Sequence, residues 1–229
     1  MIEWQIDELA KCGINQVSIV LGFRADKVER LLSERYDPHH VKTIYNDAYA
    51  VSDNLVSCWA ARDEMHSDFV LLNGDTLFEA AVLQLLLDTQ SHPVTVAISH
   101  KKNYDADDMK VELDGGRLVR IGKELLPDQI DGESIGMILF RGQGPKLFRD
   151  AMEKTLRIPS AQKKWYLSVI DEMARSMPVW TCSTKGLQWC EVDYHADLKL
   201  AEKVVSACGT LSGVDVNKPI CQTTEVTLT

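Results

Sequence analysis

Three acidic residues carry the first chemical suggestion in this sequence: Asp75, in Leu71-Leu72-Asn73-Gly74-Asp75, and Glu191 with Asp193, in Trp189-Cys190-Glu191-Val192-Asp193. Asp75 follows a short apolar run that reads as a strand, and open α/β sheets bind ligands at the carboxyl ends of their strands. Glu191 and Asp193 are two apart, a spacing that turns both to one face of a strand. A small, hard divalent cation such as Mg2+ takes one or two carboxylates and leaves its other positions to water and phosphate oxygens, which these three acids can support. The same residues have plainer uses. An Asp before Thr also forms turns or caps helices, Asp193 can cap a helix beginning after His195, and Glu191 can be an edge-strand charge.

The elements that must position these acids alternate along the chain. Ile2, Ile6, Leu9 and Ala10 fall at helical spacing before Gly13, and Val17–Leu21 (VSIVL) is a nearly continuous apolar run, as in a strand covered on both faces. A helix follows over 27–35, a strand over 41–45, and a helix that Ser52 or Asp53 can cap, with Leu55, Val56, Trp59 and Ala60 on one face. A buried strand over 69–72, a helix over 80–87 and a strand over 94–99 continue the rhythm, which favours right-handed crossovers. Asp114-Gly115-Gly116 between two alternating segments marks a hairpin, so antiparallel strands join the sheet. Further strands are expected over 135–140, 179–183 and 187–192, and helices over 145–156, 165–176 and 196–206. The expectation is one α/β domain over residues 1–207, a Rossmann-like mixed, mostly parallel sheet with helices on both faces, followed by a loose tail over 208–229.

Composition narrows the function classes. The 229 residues hold 25 Lys and Arg against 34 Asp and Glu, a formal charge of −9 that argues against a nonspecific nucleic-acid binder. No run reaches the roughly eighteen apolar residues that span a bilayer. The first residues, MIEWQIDELAKCG, lack the pattern of a secretory signal, so a cytoplasmic location is expected. Cysteines at 12, 58, 182, 190, 208 and 221 form neither a C-x-x-C pair nor a zinc-finger spacing and read as reduced core thiols.

An ordered set of segments adds a resemblance: GINQVSIVLGFRADKV, SDNLVSCWAARDEM, FVLLNGDTLF, DMKVELDGGRLVRIGKEL, DGESIGMILF and WCEVDYHADLKLAEK. Together they resemble the nucleotidyltransferases of the sugar-nucleotide pyrophosphorylase superfamily, most of all the phosphocholine and phosphonate cytidylyltransferase branch. The resemblance implies a nucleotide-diphospho-sugar transferase fold and transfer of a nucleoside monophosphate, CMP in that branch, from an NTP to a phosphate or phosphonate, with release of pyrophosphate. It implies that Asp75, Glu191 and Asp193 hold Mg2+ and that Lys123, in IGKEL, places a point charge on the acceptor phosphate. Glu133 matches an acid near the acceptor, able to meet a cationic head group or to serve as a turn residue. Ser52, Asp53, Asn54 and Gly74 match the nucleotide side, with ordinary helix capping as the competing use of the first three. Trp165 and Tyr166 match aromatics beside the acceptor, where a ring face suits a quaternary ammonium, although helix-packing aromatics are commoner. Leu167 and Ser168 stand where relatives often carry acids.

The family pattern also begins with a strand and a G-x-G-x-R loop that cradles the triphosphate, and the first residues here match the helix that follows it. On that reading a central strand and the phosphate cradle are absent, leaving an apolar slot edged by unpaired backbone. A catalytically dead binding or regulatory module of this fold is the second expectation. A metal-dependent glycosyltransferase, which shares a nucleotide-binding α/β sheet and a metal acid motif, is the third.

Overall fold

The computed structural model describes residues 1–209 and 225–228. Helices and strands alternate through the first half: α1 (Ile2–Lys11), β1 (Val17–Leu21), α2 (Ala25–Arg35), β2 (Val41–Tyr45), α3 (Asn54–Ala60), β3 (Phe69–Leu72), β4 (Thr76–Phe78), α4 (Ala80–Leu87) and β5 (Val94–Ser99). The hairpin β6 (Lys110–Asp114) and β7 (Arg117–Gly122) follows, turning at Gly115 and Gly116, whose φ of 54° and 87° glycine adopts without strain. Next come β8 (Gly132–Phe140), α5 (Gly144–Leu156), α6 (Tyr166–Ala174), β9 (Trp180–Ser183), β10 (Trp189–Glu191), α7 (Leu198–Gly209) and β11 (Glu225–Leu228).

Among the described residues, nine strands form one sheet in the order β2-β1-β11-β3-β8-β5-β9-β7-β6. Strands β2, β1, β11, β3, β5, β9 and β6 run one way, and β8 and β7 run the other. This is the mixed, mostly parallel sheet that the alternation implied. Successive side chains of a strand face opposite sides, so β3 feeds two cores at once. Val70 and Leu72 pack with Leu9, Leu32 and Leu83 of α1, α2 and α4. Phe69 and Leu71 pack with Leu55, Phe148 and Ile170 of α3, α5 and α6. Each fully buried Leu or Phe contributes about 1.5–3 kcal/mol, so this four-residue strand is anchored more firmly than its length suggests.

Two strands were not anticipated. β4 pairs antiparallel with β10 in a separate two-stranded ribbon, with Glu191 opposite Thr76. β11 corrects the expectation of a loose tail where the tail is described; residues 210–224 lie outside the described residues. It runs parallel between β1 and β3, with Val226 opposite both Val17 and Val70 and Leu228 opposite both Ile19 and Leu72. The expected empty slot is therefore filled by the chain's own strand. The physical reason is that β1 and β3 each present a row of backbone donors and acceptors to this slot, and one inserted strand satisfies both rows. The sequence Glu225-Val226-Thr227-Leu228 also contains two β-branched residues suited to it.

Candidate active site

The turn after β3, Asn73 to Thr76, is clamped by three elements. Gln5 of α1 donates from Nε2 to the carbonyl oxygens of Asn73 (3.0 Å) and Thr76 (2.8 Å). From the opposite core, the Tyr166 hydroxyl donates to Asn73 Oδ1 (2.8 Å). The Asn73 amide donates to the Gly136 carbonyl of β8 at 2.9 Å. Gly136 has a φ of +70°, and a Cβ there would lie 2.5 Å from the Asn73 side chain, so only glycine lets the turn sit this close. Gln5 and Gly136 escaped the sequence reading, yet both left signals: a glutamine three residues after Ile2 and four before Leu9 on the buried face of a helix, and a glycine inside an apolar strand.

The clamped turn places Asp75 against β10. The Val192 amide donates to the Asp75 carbonyl at 3.0 Å, and the β4–β10 register brings Glu191 alongside. Asp75 Oδ1 is buried and has no hydrogen-bond partner among the described residues. Burial, reinforced by repulsion from Asp193, pushes the Asp75 carboxyl above its ordinary range. Burial and repulsion from Asp75 and then Asp193 push Glu191 up to about 7.

Asp193 differs from expectation. β10 ends at Glu191, so the two acids do not share one strand face, and Asp193 is exposed. Nor does Asp193 supply the cap: its amide and that of Tyr194 donate to Asp197 Oδ2 at 3.1 and 2.8 Å. Among the described residues, no three or more His, Cys, Asp or Glu side chains converge to hold a metal by themselves. The partnerless oxygen of Asp75 and the raised Glu191 nevertheless fit a hard divalent cation that takes one or two protein carboxylates and completes its shell with water and phosphate.

Lys123 follows β7 beside a groove of about 220 Å³ lined by Met109, Leu125, Trp165 and Leu167. Its Nζ lies 4.5 Å from the centroid of the Trp165 ring and 3.3 Å from Asp107 Oδ1. Lys110 ties the neighbouring loop to this lysine, donating to the carbonyls of Lys123 (3.0 Å) and Asp108 (3.3 Å). Trp165 is 41% exposed and available to a ligand. Tyr166 is fully buried and cannot touch an acceptor; its aromatic ring is helix packing, and its hydroxyl positions Asn73.

Glu133 is also buried, and its carboxylate is already engaged. Lys101 Nζ donates to Glu133 Oε2 at 2.7 Å and to Asp108 Oδ2 at 2.8 Å. On the expected nucleotide side, Ser52 donates to the Ala48 carbonyl (2.9 Å), and the Asp53 amide donates to the Gln162 carbonyl (2.8 Å). Asp53 stands at the N-cap of α3 without a side-chain cap bond. Asn54 Oδ1 accepts from the Tyr166 amide at 3.0 Å, so this oxygen joins α3 to α6 and is not free to read a base. Gly74 is half-buried in the turn between Asn73 and Asp75.

Comparison with solved structures adds the decisive likeness: the inositol-1-phosphate CTP transferase from T. maritima superposes with a TM-score of 0.75 over 93% of this chain and 84% of its own, at 19% identity. The chain has a nucleotidyltransferase fold. It is similar in sequence to cytidylyltransferases. The CMP-5'-(3-aminopropyl)phosphonate synthase of Streptomyces rubellomurinus is 24% identical over 86% of this chain and 32% of its own length. The choline-phosphate cytidylyltransferase of Streptococcus pneumoniae is 30% identical over 34% of this chain and 33% of its own. The chain thus spans about a third of the length of these two relatives. No protein-family model matches the chain. Within the nucleotidyltransferase fold, the Asn73–Asp75 turn and Glu191 lie at the carboxyl end of β3, where sheets of this kind bind ligands.

Proposed function

We propose that this chain is a cytidylyltransferase that moves CMP from CTP to a small phosphorylated acceptor with Mg2+ as cofactor. The observation that carries the reading is Asp75 Oδ1, buried and without a partner beside the raised carboxyl of Glu191. Two acids placed this close together suit a shared divalent cation. Asp75 and Glu191 would hold Mg2+, with Asp193 at the rim; when bound, the ion neutralises phosphate charge and orients the nucleotide. The names and sequence similarity of the relatives support CTP as donor.

The chain's own residues then bind and orient. Gly74 and the start of α3, at Ser52 and Asp53, line the nucleotide side. Lys123, steadied by Asp107 and Trp165, meets a phosphate oxygen of the acceptor as a point charge and aligns it for attack. An acceptor oxygen attacks the α-phosphorus, forming the new P–O bond. The bond from that phosphorus to the bridging β-phosphate oxygen breaks, and pyrophosphate leaves with the electron pair. Clamping of the Asn73–Thr76 turn by Gln5, Tyr166 and Gly136 keeps Asp75 in place without motion during transfer.

A cytoplasmic location belongs to the same reading: Cys12, Cys182 and Cys190 are thiols, as a reducing compartment favours. Among the described residues, no helix is long and apolar enough to cross a membrane. The test is pyrophosphate release from CTP and Mg2+ with inositol 1-phosphate, glycerol 3-phosphate, phosphocholine or 2-aminoethylphosphonate. Wild type should release it with at least one acceptor and Asp75→Asn about a hundredfold or more slower with that acceptor. Equal release by the two proteins with every acceptor would refute the proposal.

A further inference from the structure

Glu133 sits between two strands, opposite Ser99 of β5 and Lys110 of β6, with its carboxylate buried. Asp108 joins it through Lys101, and both acids lie near enough to Glu191 to repel its charge. The adjoining residue Asp107 contacts Lys123, so this acidic site borders the lysine assigned to the acceptor phosphate. Two neighbouring carboxylates, Glu133 buried and Asp108 partly buried, suit a choline or amine head group. Here the cation is already attached to the chain. The Lys101 loop folds back on itself, the Lys101 amide donating to the Tyr104 hydroxyl at 3.3 Å and Nζ lying 5.8 Å from that ring.

We propose that Lys101 determines acceptor specificity by filling the anionic site of Glu133 and Asp108, so that the acceptor's non-phosphate end is a neutral polyol or sugar and not a cationic head group. This rests on the cytidylyltransferase reading and deepens it. A cationic acceptor must displace an ammonium that makes two charged hydrogen bonds, and the displaced ammonium loses both. A hydroxyl need displace nothing. The ammonium has three donors and spends two on the carboxylates, leaving one to meet an acceptor oxygen, which a hydroxyl supplies and an ammonium cannot.

The experiment compares kcat/KM for two neutral acceptors, inositol 1-phosphate and glycerol 3-phosphate, with that for phosphocholine and 2-aminoethylphosphonate. Binding of all four is measured in parallel by calorimetry with Mg2+ and CTP present. Wild type should favour the neutral acceptors about tenfold or more, and Lys101→Met should shift the ratio about tenfold toward the cationic ones. Because that variant leaves Glu133 buried without its cation, the Lys101→Met/Glu133→Gln double variant serves as a folded control and should gain nothing for cationic acceptors. A wild-type preference for a cationic acceptor, an unmoved ratio in Lys101→Met, or equal binding of both classes by wild type overturns the inference. If no acceptor is turned over but neutral ones bind preferentially, the transferase reading fails while the specificity of the site stands.

Discussion

Asp75 with Glu191 and Glu133 with Asp108 are two largely buried acidic sites at the same end of the sheet, and they answer the cost of burying charge in opposite ways. β8 runs antiparallel to β3 and β5, so Glu133 near its start lies opposite the carboxyl end of β5 and just past that of β3, where the Asp75 turn begins. At Glu133 the answer is internal. Burial pulls the Lys101 ammonium down, but its hydrogen bonds to Asp108 and Glu133 and its attraction to them outweigh this, and its pKa is raised. At Asp75 no lysine does this among the described residues: one carboxyl oxygen has no partner there, burial and Asp193 raise Asp75, and burial, Asp75 and Asp193 raise Glu191. A site that completes its own charge is built for structure and selection. One that leaves its charge incomplete is where the proposed cation would sit.

Substitutions should separate the two sites, and the largest effect is expected at the incomplete one. Asp75→Asn keeps the shape of the turn and removes the carboxylate, so CMP transfer should fall by about a hundredfold or more. A loss below tenfold in steady-state pyrophosphate release would mean that Asp75 is not the metal-facing acid. Thr227→Pro should come next. A proline in β11 removes a ladder donor from a central strand, at a cost of about 3 kcal/mol, or roughly 6–12 °C in Tm for a chain of this size. The effect should be uneven: hydrogen exchange should rise more over 69–76, which β11 braces, than over 94–99, which it does not touch. Equal acceleration in both segments would contradict that bracing.

Stability sharpens the contrast further. Lys101→Met strands Glu133 without its cation and, since Lys101 is partly exposed, should cost about 1–3 kcal/mol. Asp75→Asn should leave the metal-free protein unchanged or slightly more stable, because it removes repulsion. Thermal melts that rank the two variants in the reverse order would erase the distinction.

The smallest effect is a pH slope. Glu191 titrates near 7 in the folded protein against 4.5 ordinarily, so between those values the native state holds a proton that the unfolded chain has released. Metal-free stability should therefore fall as pH rises from about 5 to 7, and Mg2+ should flatten the slope by making the charged form favourable. Lys101 keeps its proton across that window and adds nothing to it. A flat metal-free Tm between pH 5 and 8 would show that Glu191 is not held in the crowded state described.

Much of this architecture was readable residue by residue. Val17–Leu21 and Phe69–Leu72 are continuous apolar runs, and Asp114-Gly115-Gly116 has one obvious use, so β1, β3 and the β6–β7 hairpin fell where expected. Asp75 and Glu191 could be read as strand-end acids, but only the pairing of β4 with β10 brings them together. Tyr166 was misjudged because an aromatic beside Trp165 looks the same in sequence whether its helix turns it outward or inward. Helical rotation separates the two: Trp165 precedes α6 and stays exposed, while Tyr166 opens it and faces the core. Asp193 was placed on one strand face with Glu191, but strand alternation holds only while the strand lasts and β10 stops two residues short of it; it stays close enough to repel both Asp75 and Glu191.

The sequence by itself determined the period of each element and hence the α/β class, the two apolar faces of β3, and the presence of acids at strand ends. These are local properties, set by side-chain spacing along a helix or strand. Only the tertiary structure decided which acids share a site, that Lys101 occupies Glu133, that Gln5 and Gly136 hold the Asn73–Asp75 turn, and that Glu225–Leu228 completes the sheet between β1 and β3. Each of these joins segments far apart in the chain. Their pairing is governed by buried charge and unsatisfied backbone seeking partners, terms that acquire values only once the chain has closed around them.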